Sequence, residues 1–364
     1  MKVREIKIQD YSNVIGICHR NGLNLRMSNE KWIKFWKNNP YIAKNHDFPM
    51  GWLLLTDGGR EVGSLMNVPI EYELNRKKLL AVVGSSWAVD IEYRKASILL
   101  IMKFFQQKNV DFFINSTAND ASGPVFKAFK GRQVPCLSYD QVLFWVVDCV
   151  SFAKSALLKR QIPMADFLRY PIGSILWCIN KFTGSFLSGN GNSVVRLYEF
   201  DDRVDSFWEK LRLKENRLLA KRDKVSLNWH FHVARSRDEI AIFAILNSDE
   251  IVGYLVLATE NNRKINLKRF RIIDLQMLEE KSNIVKDLLS AALSFSANQG
   301  SSIVECIGFS GEKRSCFKKL SFYNRKLVPY PFYFKPGIGK DNTILDDPKI
   351  WDPCPYDGDT SLFS

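Results

Sequence analysis

The spacing of apolar and polar positions predicts strands and helices in turn along the first half of the chain. The expected order is strand, two helices, three strands, helix, strand, helix, strand. The corresponding ranges are 3–8, 11–22, 28–36, 51–56, 61–73, 79–89, 96–105, 110–115, 122–129 and 142–147. The strand over 79–89 is almost continuously apolar, which is typical of a buried strand.

Much of this order is repeated in the second half. We expect a strand, a helix, a hairpin, a strand, a long helix, a strand, a short helix and a closing strand. Their ranges are 194–200, 204–213, 240–245 with 251–257, 270–275, 284–298, 302–308, 312–320 and 322–334. A repeated order of elements argues for two copies of one α/β (α+β) fold packed together.

A helical, aromatic and basic segment over 151–187 lies between the two copies. Because basic and aromatic residues are interleaved, one interpretation is a helix that binds a membrane surface or a partner. The other is an inter-domain helix with a buried apolar face, and an apolar stripe favours it. Residues 188–193 have the composition of a flexible linker. The predicted domains are therefore 1–150 and 194–364 with a C-terminal tail, joined by a connector over 151–193.

The net charge of +13 on 364 residues indicates an anionic partner. Nucleic acid, lipid headgroups and phosphorylated small molecules are the possible classes. Lysines and arginines are spread along the whole chain instead of concentrated on one helix or tail. This distribution makes nucleic acid unlikely and favours phosphorylated ligands.

The seven cysteines are odd in number and show no CxxC spacing, which disfavours a zinc site or a disulfide framework. The chain opens directly into a strand without a signal-peptide pattern. No run reaches the roughly 20 apolar residues that a transmembrane helix needs. We therefore expect a cytoplasmic protein without a transmembrane segment.

A short basic turn, Arg94-Lys95-Ala96-Ser97, follows the apolar strand over 79–89 and precedes a helix. Backbone N–H groups at a helix start lack partners, and the helix dipole is positive there. Such a turn suits a phosphate or pyrophosphate. The alternative is a simple strand–turn–helix connection.

The residues around this turn resemble the GNAT superfamily of acyl-CoA-dependent acyltransferases. In that family a strand leads to Arg or Gln, two free positions, a Gly, one free position, and Gly or Ala. Arg94 stands in the Arg/Gln place, and Ser97 and Leu99 stand where the small residues belong. The resemblance implies two domains, each with a mixed, mostly antiparallel sheet flanked by helices. It also implies acyl-CoA as co-substrate, bound by Val89, Arg94, Lys95, Ala96, Ser97, Asn115 and Asn119.

The second copy has no basic, small-residue turn at the corresponding position. It carries Glu279 and Glu280 instead, which would repel a pyrophosphate. We therefore assign acyl-CoA to the domain over 1–150 and a substrate-binding or structural part to the second domain. The arrangement resembles tandem GNAT-like enzymes of surface-polysaccharide gene clusters, including N-acyltransferases that act on nucleotide-linked amino sugars.

Acyl transfer to an amine needs a general base and donors for the oxyanion. Alternation predicts His230 and His232 on one face of a strand, where His230 is a candidate base; a solvated strand face is the alternative. Asp90 and Glu92 are further candidate bases, and Tyr93 or Tyr139 is a candidate acid. Backbone N–H groups near Val89 are candidate oxyanion donors. No metal site is expected, because no third ligand has suitable spacing.

Acceptor contacts are expected near the histidines and in the C-terminal tail. The candidates are Arg222, Asn228, Trp229, His232, Tyr356, Asp357 and Asp359. A tail lying on the surface is the alternative for the last three. The function expected is transfer of an acyl group to a nucleotide-linked amino sugar. Two alternatives stay open: aminoacyl transfer from aminoacyl-tRNA to a peptidoglycan precursor, and a GNAT-like binding module without catalysis.

Overall fold

The computed structural model describes residues 1–23, 25–136, 138–182, 194–340 and 343–362. The first part of the chain forms seven strands and six helices longer than a 3-10 turn among these residues. They are β1 (Lys2–Glu5), α1 (Tyr11–Arg20), α2 (Asn29–Lys37), β2 (Gly51–Leu55), β3 (Glu61–Leu74), β4 (Lys77–Val89), α3 (Ser97–Phe105), β5 (Phe112–Asn115), α4 (Ser122–Ala128), β6 (Arg132–Gln133), β7 (Gln141–Val146), α5 (Cys149–Lys159) and α6 (Ala165–Phe182).

The second part continues with the elements β8 (Val194–Leu197), α7 (Arg203–Leu211), β9 (Leu219–Ala220), α8 (Lys224–His230), α9 (His232–Arg235), β10 (Ile240–Asn247), β11 (Glu250–Thr259), β12 (Arg269–Met277), α10 (Ser282–Asn298), β13 (Ile303–Cys306), α11 (Gly311–Leu320), β14 (Tyr323–Lys326) and β15 (Tyr333–Pro336). None of the helices in the described ranges combines the length and apolar composition needed to cross a bilayer.

Local chemistry explains several of these boundaries. The Ser28 hydroxyl caps α2 by accepting the Lys31 backbone N–H, and the Asp148 carboxylate caps α5 in the same way. Asn75 and Arg76 both have positive φ between β3 and β4. Ser248 and Asp249 do so between β10 and β11, which is the geometry that tight two-residue hairpins require.

Two mixed sheets form the body of the molecule. The first has the order β1-β2-β3-β4-β5-β15-β6, with β9 beside β3; the second has the order β14-β7-β13-β12-β11-β10-β8. Each sheet contains one parallel pair, β4–β5 in the first and β12–β13 in the second, and every other pair described is antiparallel. The predicted fold class, two mostly antiparallel mixed sheets flanked by helices, is confirmed.

The two sheets exchange strands. β7, from the first part of the chain, pairs with β13 in the second sheet. β15, from the last part, pairs with β5 in the first sheet. Strand pairing therefore crosses the predicted domain division, which separates residues 1–150 from residues 194–364. The division itself stays a prediction.

The structure corrects three local predictions. His230 and His232 lie on the short helices α8 and α9 and not on a strand. The closing strand over 322–334 is two strands, β14 and β15, in different sheets. In the connector, the apolar residues of α6 other than Ala165 and Gly173 are exposed or half-buried, whereas α5 buries Cys149, Ala153 and Leu157. The predicted linker at 188–193 lies outside the described residues.

Candidate active site

The strands β4 and β5 separate where the apolar strand gives way to small and polar residues. β4 pairs with β3 as far as Val89 but with β5 only over Ala81–Val83. A bulge interrupts the β3 pairing, and Ser86 in it has a φ of 51°. The separation beyond Val83 is called the first gap below.

A cavity of about 630 Å³ occupies the first gap. Its walls come from the end of α1 and the loop after it, β3, β4, the turn before α3, α3 itself, the loop after β5, α4 and the tail. The lining residues are Asn21, Leu23, Leu25, Leu65, Gly84, Ser85, Ser86, Trp87, Ala88, Val89, Arg94, Ser97, Ile101, Phe104, Asn115, Thr117, Asn119, Ala121, Ser122, Val125, Phe126 and Asp359. One part of this lining consists of apolar side chains such as Leu65 and Phe104. The other part consists of polar side chains such as Arg94 and Asn115.

The basic turn forms one end of the cavity. Residues Ile91–Ala96 make a 3-10 turn that runs directly into α3. Arg94 and Ser97 line the cavity, while the neighbouring Lys95 and Ala96 do not. Leu99, which occupies a small-residue place of the family pattern, packs against the apolar cluster beneath the sheet. Its bulk is therefore directed in part toward the core.

Asn115 and Asn119 line the cavity and shape the chain after β5. The Asn115 side-chain oxygen accepts the Thr117 backbone N–H at 3.1 Å. The Asn119 side-chain oxygen accepts the N–H groups of Ala121 and Ser122, both at 3.0 Å. These bonds fix the loop that leads into α4 on the far wall of the cavity.

Asp359 of the C-terminal tail reaches into the same cavity. Its carboxylate accepts hydrogen bonds from the Ser116 hydroxyl at 3.0 Å and the Thr117 hydroxyl at 3.2 Å. Burial raises the pKa of this carboxyl above its usual value, and hydrogen bonds from Ser85 and Ser116 oppose the rise. A Cβ at Gly358 would lie 1.9 Å from the Ser116 oxygen, so only glycine permits this approach.

The predicted bases and acid near the turn lie outside the cavity. Asp90 is held by Arg20 at 3.0 Å and by Asn21 at 3.0 Å. Partial burial alone would raise the pKa of Asp90, but these two hydrogen bonds leave it below the usual value. A carboxylate so stabilised is a weak base. Glu92 is exposed, and the Tyr93 hydroxyl accepts a hydrogen bond from Arg60 at 3.0 Å.

His230 is not at the cavity. Its ring is 1% exposed, lies 4.2 Å from the Tyr356 ring and shares a 2.7 Å hydrogen bond with the Ser361 hydroxyl. Burial lowers the pKa of His230 from 6.5 to about 3. The side chain is therefore a neutral core residue, which corrects its expected role as a base. Tyr139 is buried as well.

Three predicted acceptor contacts form one buried cluster instead. The Arg222 guanidinium, fully buried, pairs with Asp274 at 2.9 Å and Asp357 at 3.3 Å. It lies 4.5 Å from the centre of the Tyr356 ring, and the Tyr356 hydroxyl donates to the Lys221 carbonyl. Buried ions of this kind hold structure together when they are fully paired.

The remaining predicted contacts also join structural elements. The Asn228 side chain bonds the Phe200 backbone, and the Trp229 N–H donates to the Phe35 carbonyl at 2.8 Å. Trp229 thus ties α8 to α2. His232 is half-buried, and burial together with Arg235 lowers its pKa. Of the predicted acceptor residues, the cavity contains Asp359.

A second gap, the separation of β12 from β13 beyond Ile272, lies at the matching place in the second sheet. The tail fills it. Asp352 accepts the Ser310 backbone N–H at 2.9 Å and pairs with Lys313 and Arg217. The Pro353 carbonyl accepts the Phe309 N–H at 2.7 Å. Burial would raise the pKa of Asp352, but the charges of Lys313 and Arg217 hold it well below its usual value.

Ser85, Ser116 and Thr117 were not predicted as site residues. Ser116 and Thr117 follow directly after Asn115, so the end of β5 was the available signal in the sequence. Their bonding to Asp359, more than 240 positions away, has no local signal. Among the described residues, no group of three or more His, Cys, Asp or Glu side chains could hold a metal ion.

Searches with family models and among curated proteins give no match. Among solved structures the chain is similar to a probable N-acyltransferase of Enterococcus faecalis, with 10% identity, a TM-score of 0.57, and coverage of 92% of this chain and 72% of that one. It is also similar to a GCN5-related N-acetyltransferase of Anabaena variabilis. The identity is 12%, the TM-score is 0.54, and the match covers 92% of this chain and 72% of that one.

A third similar structure is the N-myristoyltransferase of Saccharomyces cerevisiae with bound myristoyl-CoA. Identity is 12%, the TM-score is 0.56, and the match covers 96% of this chain and 83% of that one. At such identities the likeness establishes the fold, which is the fold of GNAT acyltransferases.

Proposed function

We propose that this protein is an acyl-CoA-dependent N-acyltransferase whose co-substrate lies in the first gap. The observation on which this rests is the cavity between β4 and β5, because it joins the basic turn at Arg94 to a half-buried carboxylate at Asp359. The similar yeast N-myristoyltransferase has myristoyl-CoA bound, which supports an acyl-CoA ligand for this fold. A filled gap with no room for a ligand would have argued against it.

The pyrophosphate of acyl-CoA would lie at the start of α3. Arg94 provides a cation there, and the helix dipole favours negative charge. Lys95 and Ala96 would contribute through the backbone of the same turn. The pantetheine arm would run between β4 and the loop held by Asn115 and Asn119.

The thioester would then lie beside residues 84–89, beyond the point where β4 stops pairing with β5. Backbone N–H groups near Val89 would stabilise the oxyanion. The apolar wall, made by Leu65, Ile101, Phe104 and Phe126, would receive the acyl group.

Asp359 is the general base of this proposal. An acceptor amine is protonated near neutral pH, and Asp359 would take that proton. The amine nitrogen then attacks the thioester carbonyl carbon, the new C–N bond forms, and the C–S bond breaks. Coenzyme A leaves as a thiolate, and the second proton that the nitrogen loses on becoming an amide neutralises this thiolate, so no protein acid is needed. A pKa raised by burial moves Asp359 toward the range where a carboxylate accepts protons effectively.

The acceptor we propose is a nucleotide-linked amino sugar. Its support is the net charge of +13, which suits a second phosphorylated ligand, and the place of Asp359 in the cavity. Because Arg222, Trp229 and Tyr356 are buried elsewhere, they do not enter the acceptor proposal.

The test is calorimetric titration of coenzyme A and acetyl-CoA into the wild type and Arg94→Glu. We expect the charge reversal to weaken affinity by about tenfold to a hundredfold, since a charge-assisted contact is lost and a repulsion added. Lys103→Glu is the matched control: Lys103 lies exposed on α3, the helix that follows the turn of Arg94, and outside the cavity lining. Equal affinity of the two variants would overturn the placement of the pyrophosphate.

Thiol release with a panel of nucleotide-linked amino sugars separates the remaining alternatives. If the protein binds coenzyme A but releases no thiol from acyl-CoA with any of these acceptors, a binding module without catalysis is favoured. A requirement for aminoacyl-tRNA, weakened strongly by salt, would favour aminoacyl transfer.

A further inference from the structure

Helix α6 has an apolar stripe that no described part of the chain covers. At 100° per residue, seven apolar residues fall within about 100° of arc along the helix and the residue before it. Phe167 is 72% exposed, Ile175 60% and Phe182 89%. The stripe consists of Met164, Phe167, Leu168, Pro171, Ile175, Cys178 and Phe182.

The opposite side of α6 is the side that packs on the protein. The Asn180 amide donates to the Val146 carbonyl at 3.1 Å and accepts from the Tyr323 hydroxyl at 2.8 Å. A Cβ at Gly173 would lie 2.9 Å from the Val150 side chain, so α5 and α6 approach closely there. The helix is therefore fixed by Asn180, Gly173 and the half-buried Leu176, which packs on the apolar cluster of Val146 and Cys149, and the stripe is directed outward.

The segment that carries the stripe has a net positive charge. Residues 149–182 contain five lysines and arginines and one acid, Asp166. Asp166 is neutralised by Lys154 at 2.6 Å and Arg169 at 3.8 Å. Two exposed aromatic rings lie along one side of the stripe with a cation over each: Arg169 lies 4.7 Å from the Tyr170 ring and Lys181 lies 5.3 Å from the Trp177 ring.

We infer that α6 binds the protein to an anionic lipid surface. An amphipathic helix of this kind lies in the plane of the membrane, with its apolar residues at the boundary of headgroups and acyl chains. Aromatic rings and cations beside the stripe match the depth of the headgroups and their phosphates. This inference is independent of the proposed chemistry, because the first gap plays no part in it.

The charge also argues against a second copy of the chain as the occupant. In a two-fold pairing through the stripe, the same surface would face itself. Two segments, each with five cations and one acid, would then be brought together. Repulsion would oppose that contact, whereas anionic headgroups would be attracted.

The test is flotation of the full chain with vesicles of phosphatidylcholine alone or with about one quarter phosphatidylglycerol. We expect binding to the anionic vesicles only, and weaker binding when salt rises from about 0.1 M to about 0.5 M. The double variant Phe167→Ser/Ile175→Ser should reduce binding at least about tenfold, because two apolar side chains no longer enter the lipid. Tyr198→Ser, at a residue 83% exposed just after β8, should leave vesicle binding unchanged.

A second measurement uses Cys178, the one cysteine among the described residues that is exposed; the others are buried or half-buried. A polarity-sensitive fluorophore attached there should shift its emission to the blue with anionic vesicles. Sedimentation velocity is run in parallel on wild type and the double variant. Absence of vesicle binding overturns the inference, and a dimer that the double variant dissociates would assign the stripe to a second copy instead.

Discussion

The two gaps of this molecule occupy matching places in the two sheets, yet one is open and the other is filled. Both begin where a parallel strand pair ends, after Val83 in the first sheet and after Ile272 in the second. The first holds a cavity of about 630 Å³. The second holds Asp352, Pro353 and Cys354 of the tail, packed with Lys313 and Arg217.

The same tail therefore has two different effects. In the second gap the tail acts as a structural plug. It supplies the Asp352 carboxylate, which pairs with buried Lys313, and the Pro353 carbonyl, which accepts the Phe309 N–H. In the first gap it supplies one carboxylate, Asp359, at the edge of open space. Repetition of a fold thus gave two equivalent openings, and only one of them kept room for a ligand.

Asp359→Asn should have the largest effect on the open gap. Loss of a general base lowers turnover by about 10²–10⁴-fold. In the wild type the rate should rise with pH as Asp359 ionises, and this rise should occur above the usual carboxyl range because burial raises the pKa. Turnover is measured as thiol release. Asp249→Asn, in an exposed hairpin turn, is the control; a loss below tenfold in Asp359→Asn would exclude the carboxylate as base.

Asp352→Asn should instead damage the filled gap. Removing one partner of a buried ion pair costs about 3–5 kcal/mol of unfolding free energy, because Lys313 is left buried without its counter-ion. Urea unfolding measures the change. If Asp352→Asn and Asp359→Asn lower stability equally, the distinction between plug and site is wrong.

Because His230 is buried beneath the tail, the free energy of unfolding should fall as the pH is lowered. The unfolded histidine binds a proton near pH 6.5, whereas burial lowers the folded pKa to about 3. Acid therefore favours the unfolded state between these values, and the wild type should lose about 2 kcal/mol through His230 between pH 7 and pH 5.

The variant that checks this is His230→Gln, which should lose that part of the pH dependence. His46→Gln, at an exposed histidine, should retain it. Urea unfolding at the two pH values gives the comparison, and an identical slope in the wild type and His230→Gln would contradict the buried, neutral state.

Asp90→Asn should have the smallest effect. Its carboxylate is paired with Arg20 on a partly exposed surface, which contributes less than about 1 kcal/mol to stability. Turnover should remain within about tenfold of the wild type. A loss as large as that of Asp359→Asn would restore Asp90 as the base and remove Asp359 from that role.

Local pattern was sufficient for most of the elements and for one wall of the cavity. The strand over 79–89 and the basic turn are continuous in sequence, so the turn at Arg94 was predicted from the residues themselves. Ser97 and Asn115 came from the resemblance, and all three residues line the cavity. The helices holding His230 and His232 are too short to establish a period, and Asp223 caps the first of them by accepting the Ser226 N–H. Reading alternation there gave the wrong element.

Contacts between residues that are far apart in the chain could not be predicted from the sequence. Arg222 and Tyr356 have the chemistry of ligand contacts, but the buried cluster that satisfies them forms only when 222, 274 and 357 meet. Asp359 was predicted as an acceptor contact, and the structure places it in the lining of the cavity. Its bonds to Ser116 and Thr117 depend on the course of the whole tail, which no spacing rule describes.

The exchange of β7 and β15 between the sheets has a practical consequence. A chain cut near residue 190 would yield two fragments, each lacking an inner strand that the other supplies. Neither fragment could complete its own sheet, so each would expose a strand edge and aggregate when expressed alone. Produced together, the fragments would complement one another, and the protein could serve as a split reporter without any added dimerisation module.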